Sequence, residues 1–346
     1  MQPMEFELKQ IVIHELIKEA DSAEAQLFLS DEAMPIDERS LSLIEQLNLT
    51  FEQKSDTLQG YLSSPEDALF PGYFQELAEQ TFEDAAFLKF SKETMQALQL
   101  SLQGVTGAKG GYLVYSLYKF FGNDFFAIFL IRDTAGIIFR KEDVATRFSI
   151  DDVTYLDTEK LAMAGRINIT HFNAGNQRCL ELIKYAKSQK SISEYFQNWI
   201  GLDRPESSKA LTHNFLEVIN ELPLPLKEDS NEKMEEAEFR SEVLNFAMKN
   251  PHKTISIEQF DKTFYGDSGT TQKVIEEQGV ELEDTFRFDQ GAMKNYYHYR
   301  ASADGLSLSF NHSHYKKHQI EIEDNKLIIR SEALVQKILA QLEEYL

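Results

Sequence analysis

The stretch GYLVYSLYKFFGNDFFAIFLIR at residues 111–132 decides the fold. It contains two runs rich in β-branched and aromatic residues on either side of Gly122 and Asn123, which tolerate a positive φ. This order predicts a β-hairpin. Both runs are apolar almost without interruption, which is typical of strands that are covered on both faces. Residues 137–139 predict a third strand, which would extend the hairpin into an antiparallel meander.

Strands and helices are also predicted before the hairpin. Residues 11–13 and 27–29 are short apolar runs separated by a polar stretch, and they predict two strands. Asp37 then begins a pattern in which apolar residues recur at helical spacing up to Phe51, and a longer pattern of the same kind covers residues 87–102. We expect these helices to cover the sheet.

The pattern after the hairpin predicts more strands and then a helix. Residues 155–157, 165–172 and 179–183 favour extended structure. A helix containing Trp199 follows and ends at Gly201, so we expect a domain boundary there. The first predicted domain therefore covers residues 1–203.

The remaining residues, 204–346, predict a second domain. Helical patterns occupy residues 206–280, and alternation of period two then predicts strands at 306–310 and a hairpin at 320–329. An apolar stripe after Ser331 predicts a final helix. The predicted class is α+β: an N-terminal mixed α/β layer with an antiparallel meander, then a C-terminal helical region, a small antiparallel sheet and a terminal helix.

Composition limits the class of protein. The 346 residues are 42% apolar, which is enough for two packed cores. Cys179 is the only cysteine, which excludes an intrachain disulfide and a cysteine-based zinc site and fits a reducing cytoplasm. The longest apolar run, residues 125–131, is too short to span a bilayer, and the N-terminus does not resemble a leader. We expect a soluble protein with no membrane contact.

The charge is distributed unevenly along the chain. The net charge is −22, with 6 Lys and Arg against 20 Asp and Glu in residues 1–100, 12 against 10 in residues 101–200, and 17 against 27 beyond. Between residues 160 and 190 the only acidic residue is Glu181. A local basic excess in an acidic chain indicates where a polyanion is tolerated. Six cations form this candidate DNA-binding group, the alternative being solvated surface charges: Lys160, Arg166, Arg178, Lys184, Lys187 and Lys190.

Catalytic signatures are weak. The glycine-rich residues 104–111 precede a strand and lack the glycine-lysine-hydroxyl ending of a phosphate-binding loop, so they are interpreted as a connection. Residues 266–269 resemble a serine-protease nucleophile segment but lie between predicted helices, and we interpret them as a turn. No catalytic residue, metal or cofactor is predicted.

Two clusters of potential metal ligands leave alternatives open. The first is a histidine cluster that is interpreted as sheet packing or exposed surface, with metal binding as the alternative: His298, His312, His314 and His318. The second supports a rival hypothesis of a metal-dependent nuclease or hydrolase, which requires these carboxylates to converge: Asp133, Asp151, Asp152 and Asp157.

Several short blocks also resemble a known family. Residues 8–18, 155–157, 166–170, 276–284 and 305–311 occur in the order and spacing of the bacterial nucleoid-associated (NdpA-like, 37-kDa) proteins. The resemblance implies a non-enzymatic cytoplasmic protein found with the nucleoid. The cationic group would then contact DNA directly.

A second mechanism fits the acidic flanks of the chain. These flanks would bind basic surfaces of topoisomerase-type nucleoid enzymes and so act as an acidic adaptor or DNA mimic. Oligomer formation remains open.

Overall fold

A computed structural model of the chain divides into two compact units. The first is Met1–Leu211 with Glu283–Arg287, and the second is Thr212–Leu282 with Phe288–Leu346. The sequence-based boundary at residue 203 does not foresee the return of Glu283–Arg287 to the first unit. The structure describes residues 6–54, 57–105, 107–141, 148–159, 161–175, 178–183, 190–227, 232–266, 269–311, 314–315, 317–324 and 326–343.

An eight-stranded sheet forms the centre of the first unit. Its strands are β1 (Phe6–Ile17), β2 (Gln26–Phe28), β3 (Thr57–Leu62), β4 (Gly111–Phe120), β5 (Asn123–Ile131), β8 (Met163–Asn168), β9 (Leu180–Ile183) and β10 (Leu202–Ser207). Their order across the sheet is β10-β3-β9-β8-β5-β4-β1-β2, and neighbouring strands run antiparallel throughout.

The predicted hairpin is confirmed as β4 and β5. Their register runs from Tyr112↔Ile131 to Phe120↔Asn123, which leaves Phe121 and Gly122 as a two-residue turn. Both turn residues have positive φ, 45° and 85°, as a turn that matches the strand twist requires. Asn123 therefore belongs to the strand and not to the turn.

The third strand of the predicted meander forms but leaves the sheet. Strand β6 (Asp133–Lys141) pairs with β7 (Phe148–Leu156) in a separate two-stranded ladder. The position beside β5 is taken by β8, in register from Phe125↔Asn168 to Leu130↔Met163. All six residues of β8 are buried, so this strand suits an interior position of the sheet.

Helices cover both faces of the sheet, as its apolar strands predict. Helices α2 (Leu69–Glu79), α3 (Asp84–Leu102) and α5 (Lys190–Ile200) pack on one face, where Phe70, Phe90, Phe126 and Trp199 share a core. The ring centroids of Phe70 and Trp199 are 5.3 Å apart. The only tryptophan of the chain therefore reports on the packing of the first unit.

The opposite face is covered by α1 (Glu38–Gln53). The helix begins as predicted, because the Asp37 carboxylate accepts hydrogen bonds from the backbone N–H of Arg39 and Ser40, each at 2.9 Å. In return, the Ser40 hydroxyl accepts from the Asp37 backbone N–H at 2.9 Å. This capping box fixes the start of the helix, and Ile44 and Phe51 are fully buried against the sheet.

One predicted strand ends earlier than expected. The extended pattern of residues 165–172 stops at Asn168, whose side chain accepts a hydrogen bond from the His171 backbone N–H at 3.2 Å. This cap starts α4 (Ile169–Ala174). Ile169 and His171 therefore lie in a helix, and the prediction of extended structure for residues 169–172 is wrong.

The second unit has an aromatic core and a less buried C-terminal end. Its core includes Phe215, Phe239 and Phe260, all buried, with ring centroids of Phe215 and Phe260 5.5 Å apart. The remaining helices of the chain are α6 (Ser208–Glu221), α7 (Glu236–Lys249), α8 (Ile257–Phe264), α9 (Thr270–Gln278), α10 (Gln290–Tyr297) and α11 (Glu332–Glu343). The remaining strands are β11 (Thr254–Ser256), β12 (Thr285–Arg287), β13 (His298–Ala303), β14 (Leu306–Asn311), β15 (Ile320–Glu323) and β16 (Lys326–Ile329).

The C-terminal elements follow the predicted order of small antiparallel ladders and a final helix. Strands β13 and β14 pair with each other, and so do β15 and β16. The α+β class is confirmed.

Candidate nucleic-acid interface

The six predicted DNA-binding cations fall into two groups, and Arg166 belongs to a buried one. Arg166 lies in β8 and its side chain is 1% exposed. Its guanidinium makes two ion pairs, with Glu52 of α1 and Glu181 of β9, each at 2.7 Å. A phosphate group outside the protein does not reach this guanidinium.

Arg287 completes a buried quartet with the same two carboxylates. Its guanidinium lies 2.9 Å from Glu52 Oε2 and 3.8 Å from Glu181 Oε2. The side-chain amide of Gln59 in β3 holds the Arg287 backbone by accepting from its N–H at 2.6 Å and donating to its carbonyl at 2.7 Å. Two positive and two negative side chains thus neutralise one another inside the first unit.

The quartet is stabilised by its surroundings. Burial alone would raise the pKa of Glu52, but the guanidinium groups of Arg166 and Arg287 outweigh it and lower that pKa to about 2. The Arg166 guanidinium also lies 4.4 Å from the ring centroid of Phe125 and 4.8 Å from that of Phe51. Glu52 therefore stays ionised at neutral pH, and the quartet is a structural group.

Arg178 is also engaged inside the first unit. Its side chain is 7% exposed, and Nε lies 2.8 Å from Glu283 Oε2. Its Nη1 donates to the backbone carbonyl of Gln59 at 3.1 Å. Tyr61 donates from its hydroxyl to the other Glu283 oxygen at 2.7 Å. Like Arg166, Arg178 binds protein carboxylates and carbonyls in place of phosphate.

The four lysines belong to the second group. Lys160, Lys184 and Lys187 lie outside the described residues, and Lys190 is the first residue of α5, described without its side chain. The described strands that flank them are adjacent. The register Gly165↔Leu182 places the start of β8 beside the end of β9. The chain segments that carry Lys160 and Lys184 therefore adjoin strand termini at the same end of the sheet.

Two described cations lie at that end as well. The register of β4 and β5 places Tyr112 beside Ile131, and Arg132 donates to the carbonyls of Gly110 and Lys109 at 3.0 and 2.8 Å. The Lys109 side chain is exposed. We call this end of the sheet, marked by Lys109, Arg132 and the strand termini Met163 and Ile183, together with the sequence segments that carry the four lysines, the lysine end.

Acidic groups are present there too. Asp133 is exposed, and its charge, followed by that of Glu15, raises the pKa of Tyr112. The lysine end is therefore mixed in charge within the described residues. Sequence reasoning missed Lys109 and Arg132 because they lie far from residues 160–190 along the chain. Only the strand register brings them to the same end of the sheet as Met163 and Ile183.

The glycine-rich residues 104–111 are a connection, as predicted. The backbone N–H groups of Gly104, Gly107 and Gly110 donate to carbonyls of residues 23, 20 and 18 at 3.1, 2.6 and 2.9 Å. A Cβ on Gly110 would lie 2.0 Å from the Leu16 carbonyl oxygen, so this chain approach requires glycine. Backbone donors used in this way do not cradle a phosphate.

In the buried pair of Ser91 and His14, hydrogen-bond donor and acceptor are exchanged relative to a catalytic serine–histidine pair. His14 Nδ1 accepts from the Ser30 backbone N–H at 3.1 Å, which assigns the ring proton to Nε2. Nε2 lies 2.9 Å from Ser91 Oγ, and Ser91 donates its own proton to the Leu88 carbonyl at 2.8 Å. Desolvation, followed by the charge of Lys92, lowers the pKa of His14 to about 4. His14 therefore does not act as a base toward Ser91.

The four carboxylates of the rival metal-dependent hypothesis do not form one cluster where the structure describes them. Asp133 begins β6, while Asp151 and Asp152 lie along β7 opposite Ile138 and Ile137 and Asp157 follows that strand. Among the described residues, no group of three or more His, Cys, Asp or Glu side chains is arranged to hold a metal ion.

The histidine cluster is only partly described. His312 and the side chain of His298 lie outside the described residues. His318 Nδ1 lies 3.3 Å from Glu321 Oε1, and His314 is half-buried.

Cys179 is buried, and burial raises the pKa of its thiol to about 11. Within the described part of the chain, no helix has the length and apolar character that crossing a membrane requires.

Comparison with known proteins identifies the family. The family model described as nucleoid-associated protein YejK matches residues 12–335. Relatives of that name from Shigella boydii serotype 18 and Escherichia coli O157:H7 are 22% identical to this chain over 313 residues, which is 89% of each chain. Because the family model covers nearly the whole sequence, the chain belongs to the nucleoid-associated protein YejK family.

Proposed function

We propose that this protein is a non-enzymatic component of the bacterial nucleoid in the cytoplasm and that its lysine end contacts the phosphate backbone of DNA. Family membership supports association with the nucleoid. The observation that carries the DNA contact is the adjacency of β8 and β9, whose termini flank the lysine-bearing segments.

The buried quartet sharpens this proposal. Glu181 is the only acidic residue between positions 160 and 190, and it is paired with Arg166. Its charge is therefore neutralised inside the first unit. Lys184, Lys187 and Lys190 lie in a stretch, residues 182–193, that holds no acidic residue, and Lys160 follows Glu159 directly. We accordingly restrict the proposed contact to these lysines and leave Arg166 and Arg178 out of it.

The net charge of −22 determines how such binding behaves. Acidic surfaces elsewhere repel DNA over roughly one Debye length, about 10 Å at 0.1 M salt. Contacts with phosphate release counterions, and each contributes about −0.9 to the slope of log affinity against log salt concentration. We expect weak, sequence-independent binding that disappears as the salt concentration rises.

The test is a charge reversal with a matched control. The variant Lys184→Glu, Lys187→Glu, Lys190→Glu is compared with Lys89→Glu, Lys262→Glu, Lys273→Glu, which changes the net charge equally at exposed positions elsewhere. Fluorescence anisotropy with purified duplex DNA at several salt concentrations measures affinity. We expect the affinity of the first variant to fall at least about tenfold at low salt. Its slope of log affinity against log salt concentration should become shallower by about three.

The control variant should lose less affinity and keep its slope. Equal titration curves for the two variants would show that the lysine end makes no specific contribution and would contradict the proposal.

A second function is favoured by the acidic residues of the chain. Glu19, Asp21 and Glu24 are exposed in the connection between β1 and β2, within a stretch of 100 residues that holds 20 acidic side chains and 6 basic ones. Such a surface attracts the basic DNA-binding faces of topoisomerase-type nucleoid enzymes. In this mechanism the protein reaches the nucleoid as an acidic adaptor, without touching DNA.

Capture from a nuclease-treated lysate tests the adaptor mechanism. Glu19→Lys, Asp21→Lys, Glu24→Lys should lose captured DNA-binding enzymes, while Glu217→Lys, Glu242→Lys, Glu276→Lys, at exposed positions in other elements, should retain them. Recovery of no nucleoid protein by the wild-type chain would count against this mechanism.

A further inference from the structure

One face of the central sheet is left partly uncovered beside β2. Side chains alternate along β1, so Ile11, Ile13, Glu15 and Ile17 point to the face that α1 covers. Their burial decreases along the strand: Ile11 is fully buried, Ile13 is half-buried and Ile17 is 48% exposed. Helix α1 therefore covers this face at Ile11 and leaves it open at Ile17.

Strand β2 adds an aromatic side chain to the open part of this face. The register Glu15↔Phe28 places Phe28 on the same face as Ile17, and its side chain is 64% exposed. The half-buried Tyr112 of β4 lies opposite Glu15 on the other side of β1. Strand β2 is the last strand of the sheet, and no further strand pairs with it in the described part of the chain. We call Ile17, Phe28 and Tyr112 the edge patch.

The chain that follows β2 continues along the same edge. The Ser30 hydroxyl donates to the Ile13 carbonyl at 2.7 Å, and the Met34 N–H donates to the Ile11 carbonyl at 2.9 Å. These bonds hold residues 30–34 beside β1 and leave Met34 41% exposed. Exposed apolar side chains with a polar rim are the usual composition of a protein-binding surface.

Carboxylates form the rim of the edge patch. The charge of Asp133, followed by that of Glu15, raises the pKa of Tyr112, so both carboxylates act on this ring. Residues 15–38 hold eight Asp and Glu against one Lys, and Glu19, Asp21, Glu24, Asp31 and Glu32 are exposed among them. The rim is therefore strongly negative on the side of β2.

Nearby cations reduce this charge only in part. Lys18 is buried and donates to the backbone carbonyls of residues 19 and 22. Lys92 lies 3.0 Å from Asp31. Arg132 and the exposed Lys109 lie beyond Tyr112, at the lysine end. Negative charge thus remains in excess where β2 borders the solvent.

We propose that the edge patch binds a lysine- and arginine-rich segment of another protein through an apolar anchor residue in that segment. The inference rests on the acidic-adaptor mechanism and names the contact that holds such a partner. The anchor packs on Phe28 and Ile17, and the flanking cations of the segment meet the carboxylates of the rim. Charge attracts the segment, whereas the apolar contact fixes its position.

Other occupants meet repulsion at this surface. DNA and an anionic membrane both carry negative charge and are repelled by the rim. A second copy of the chain would place an equal set of carboxylates against the first. A basic segment is the occupant whose charge complements the rim.

Peptide binding to the full-length protein tests the inference. The anchored peptide is a short fluorescent chain of lysine and serine with two central leucines, and the unanchored peptide has serine in place of both leucines. Fluorescence anisotropy at low salt measures the affinity of each peptide. The variant Phe28→Ser removes the centre of the patch. Its control, Leu100→Ser, changes a side chain that is 62% exposed on α3, the helix that packs on the opposite face.

We expect the wild-type chain and the control to bind the anchored peptide about tenfold more tightly than the unanchored one, because both lose apolar surface to water only when the leucines are absent. Phe28→Ser should bind both peptides with the weaker affinity. Equal binding of the two peptides by the wild-type chain would overturn the inference and leave the adaptor mechanism standing, since charge alone would then hold the segment.

The wild-type preference retained in Phe28→Ser would also overturn the inference. Failure of the adaptor mechanism has a different signature. Glu19→Lys, Asp21→Lys, Glu24→Lys would then bind both peptides as tightly as the wild-type chain does, although three exposed carboxylates of the rim had been reversed.

Discussion

The central sheet of the first unit and the C-terminal segment from Leu306 onward differ in what covers their apolar side chains. Strands β4 and β5 have helices on both faces, and most of their residues are buried. Beyond residue 305, Ile320 is the only buried residue among those whose side chains are described. The first region buries its apolar side chains within one chain, whereas the second leaves most of its described apolar side chains exposed. Apolar side chains therefore stabilise the sheet, whereas those of the C-terminal segment contribute little to the stability of the single chain.

The largest expected effect comes from breaking the buried quartet. Glu52→Leu removes a carboxylate that is shared by Arg166 and Arg287 and leaves two buried guanidinium groups with one acidic partner. Removing one partner of a buried ion pair costs about 3–5 kcal/mol. We expect that loss in urea unfolding followed by the fluorescence of Trp199.

The control for this variant is Glu45→Leu on the same helix. Glu45 makes no ion pair among the described residues, so we expect a change within about 0.5 kcal/mol. Equal effects of the two substitutions would mean that the quartet does not stabilise the sheet.

A pH dependence of intermediate size should come from His14. Burial lowers the pKa of His14 from 6.5 to about 4, so the unfolded chain takes up this proton first as the pH falls. The contribution of neutral His14 to the free energy of unfolding is fully present above pH 6.5 and is lost as the pH falls toward 4. The loss is about 3 kcal/mol. It should appear in urea unfolding measured at several pH values.

His14→Gln keeps a donor and an acceptor for Ser91 and Ser30 but does not titrate. We expect the free energy of unfolding of this variant to change less with pH between 6.5 and 4 than that of the wild-type chain. The exposed His213 of α6 provides the control, and His213→Gln should keep the wild-type slope. A His14→Gln variant with the wild-type slope would contradict the assignment to His14.

The smallest effect is expected in the C-terminal segment. Ile338 is 49% exposed, so Ile338→Ser should change the Trp199-reported free energy of unfolding of dilute protein by less than about 0.5 kcal/mol. Phe126→Ala in the sheet core should cost about 3–5 kcal/mol. A loss of 1 kcal/mol or more on changing Ile338, measured as in the other variants, would show that the two regions do not differ as described.

Local signals predict most of the fold. The hairpin at residues 111–131, the cap of α1 at Asp37 and the final helix all follow from periodicity and from the residues that begin and end each element. The edge strand β10 and strand β3 escape prediction because their apolar residues are few. The separation of β6 from the central sheet is not predicted either. Which strand lies beside β5 depends on contacts between residues that are far apart in the sequence.

The candidate site is predicted only in part. The basic excess at residues 160–190 is visible in composition, but a count of charges does not show which cations are buried. Arg166 and Arg178 have carboxylate partners more than 100 residues away along the chain, at positions 52 and 283. No local pattern connects them. Burial of an arginine is therefore a property of the tertiary structure, and it divides a basic group that looks uniform in the sequence.

The return of Glu283–Arg287 to the first unit has a consequence for biosynthesis. Glu52 and Glu181 leave the ribosome long before Arg287, and until then Arg166 is the only arginine of the quartet that can pair with them. At about 5–20 residues per second, synthesis from the end of the first segment, Leu211, to Arg287 takes roughly 4–15 s. During that interval Glu52 and Glu181 share one arginine of the quartet, so a sheet that closed before Arg287 was made would bury one carboxylate without its cation. A chain that ends before residue 287 lacks that cation permanently.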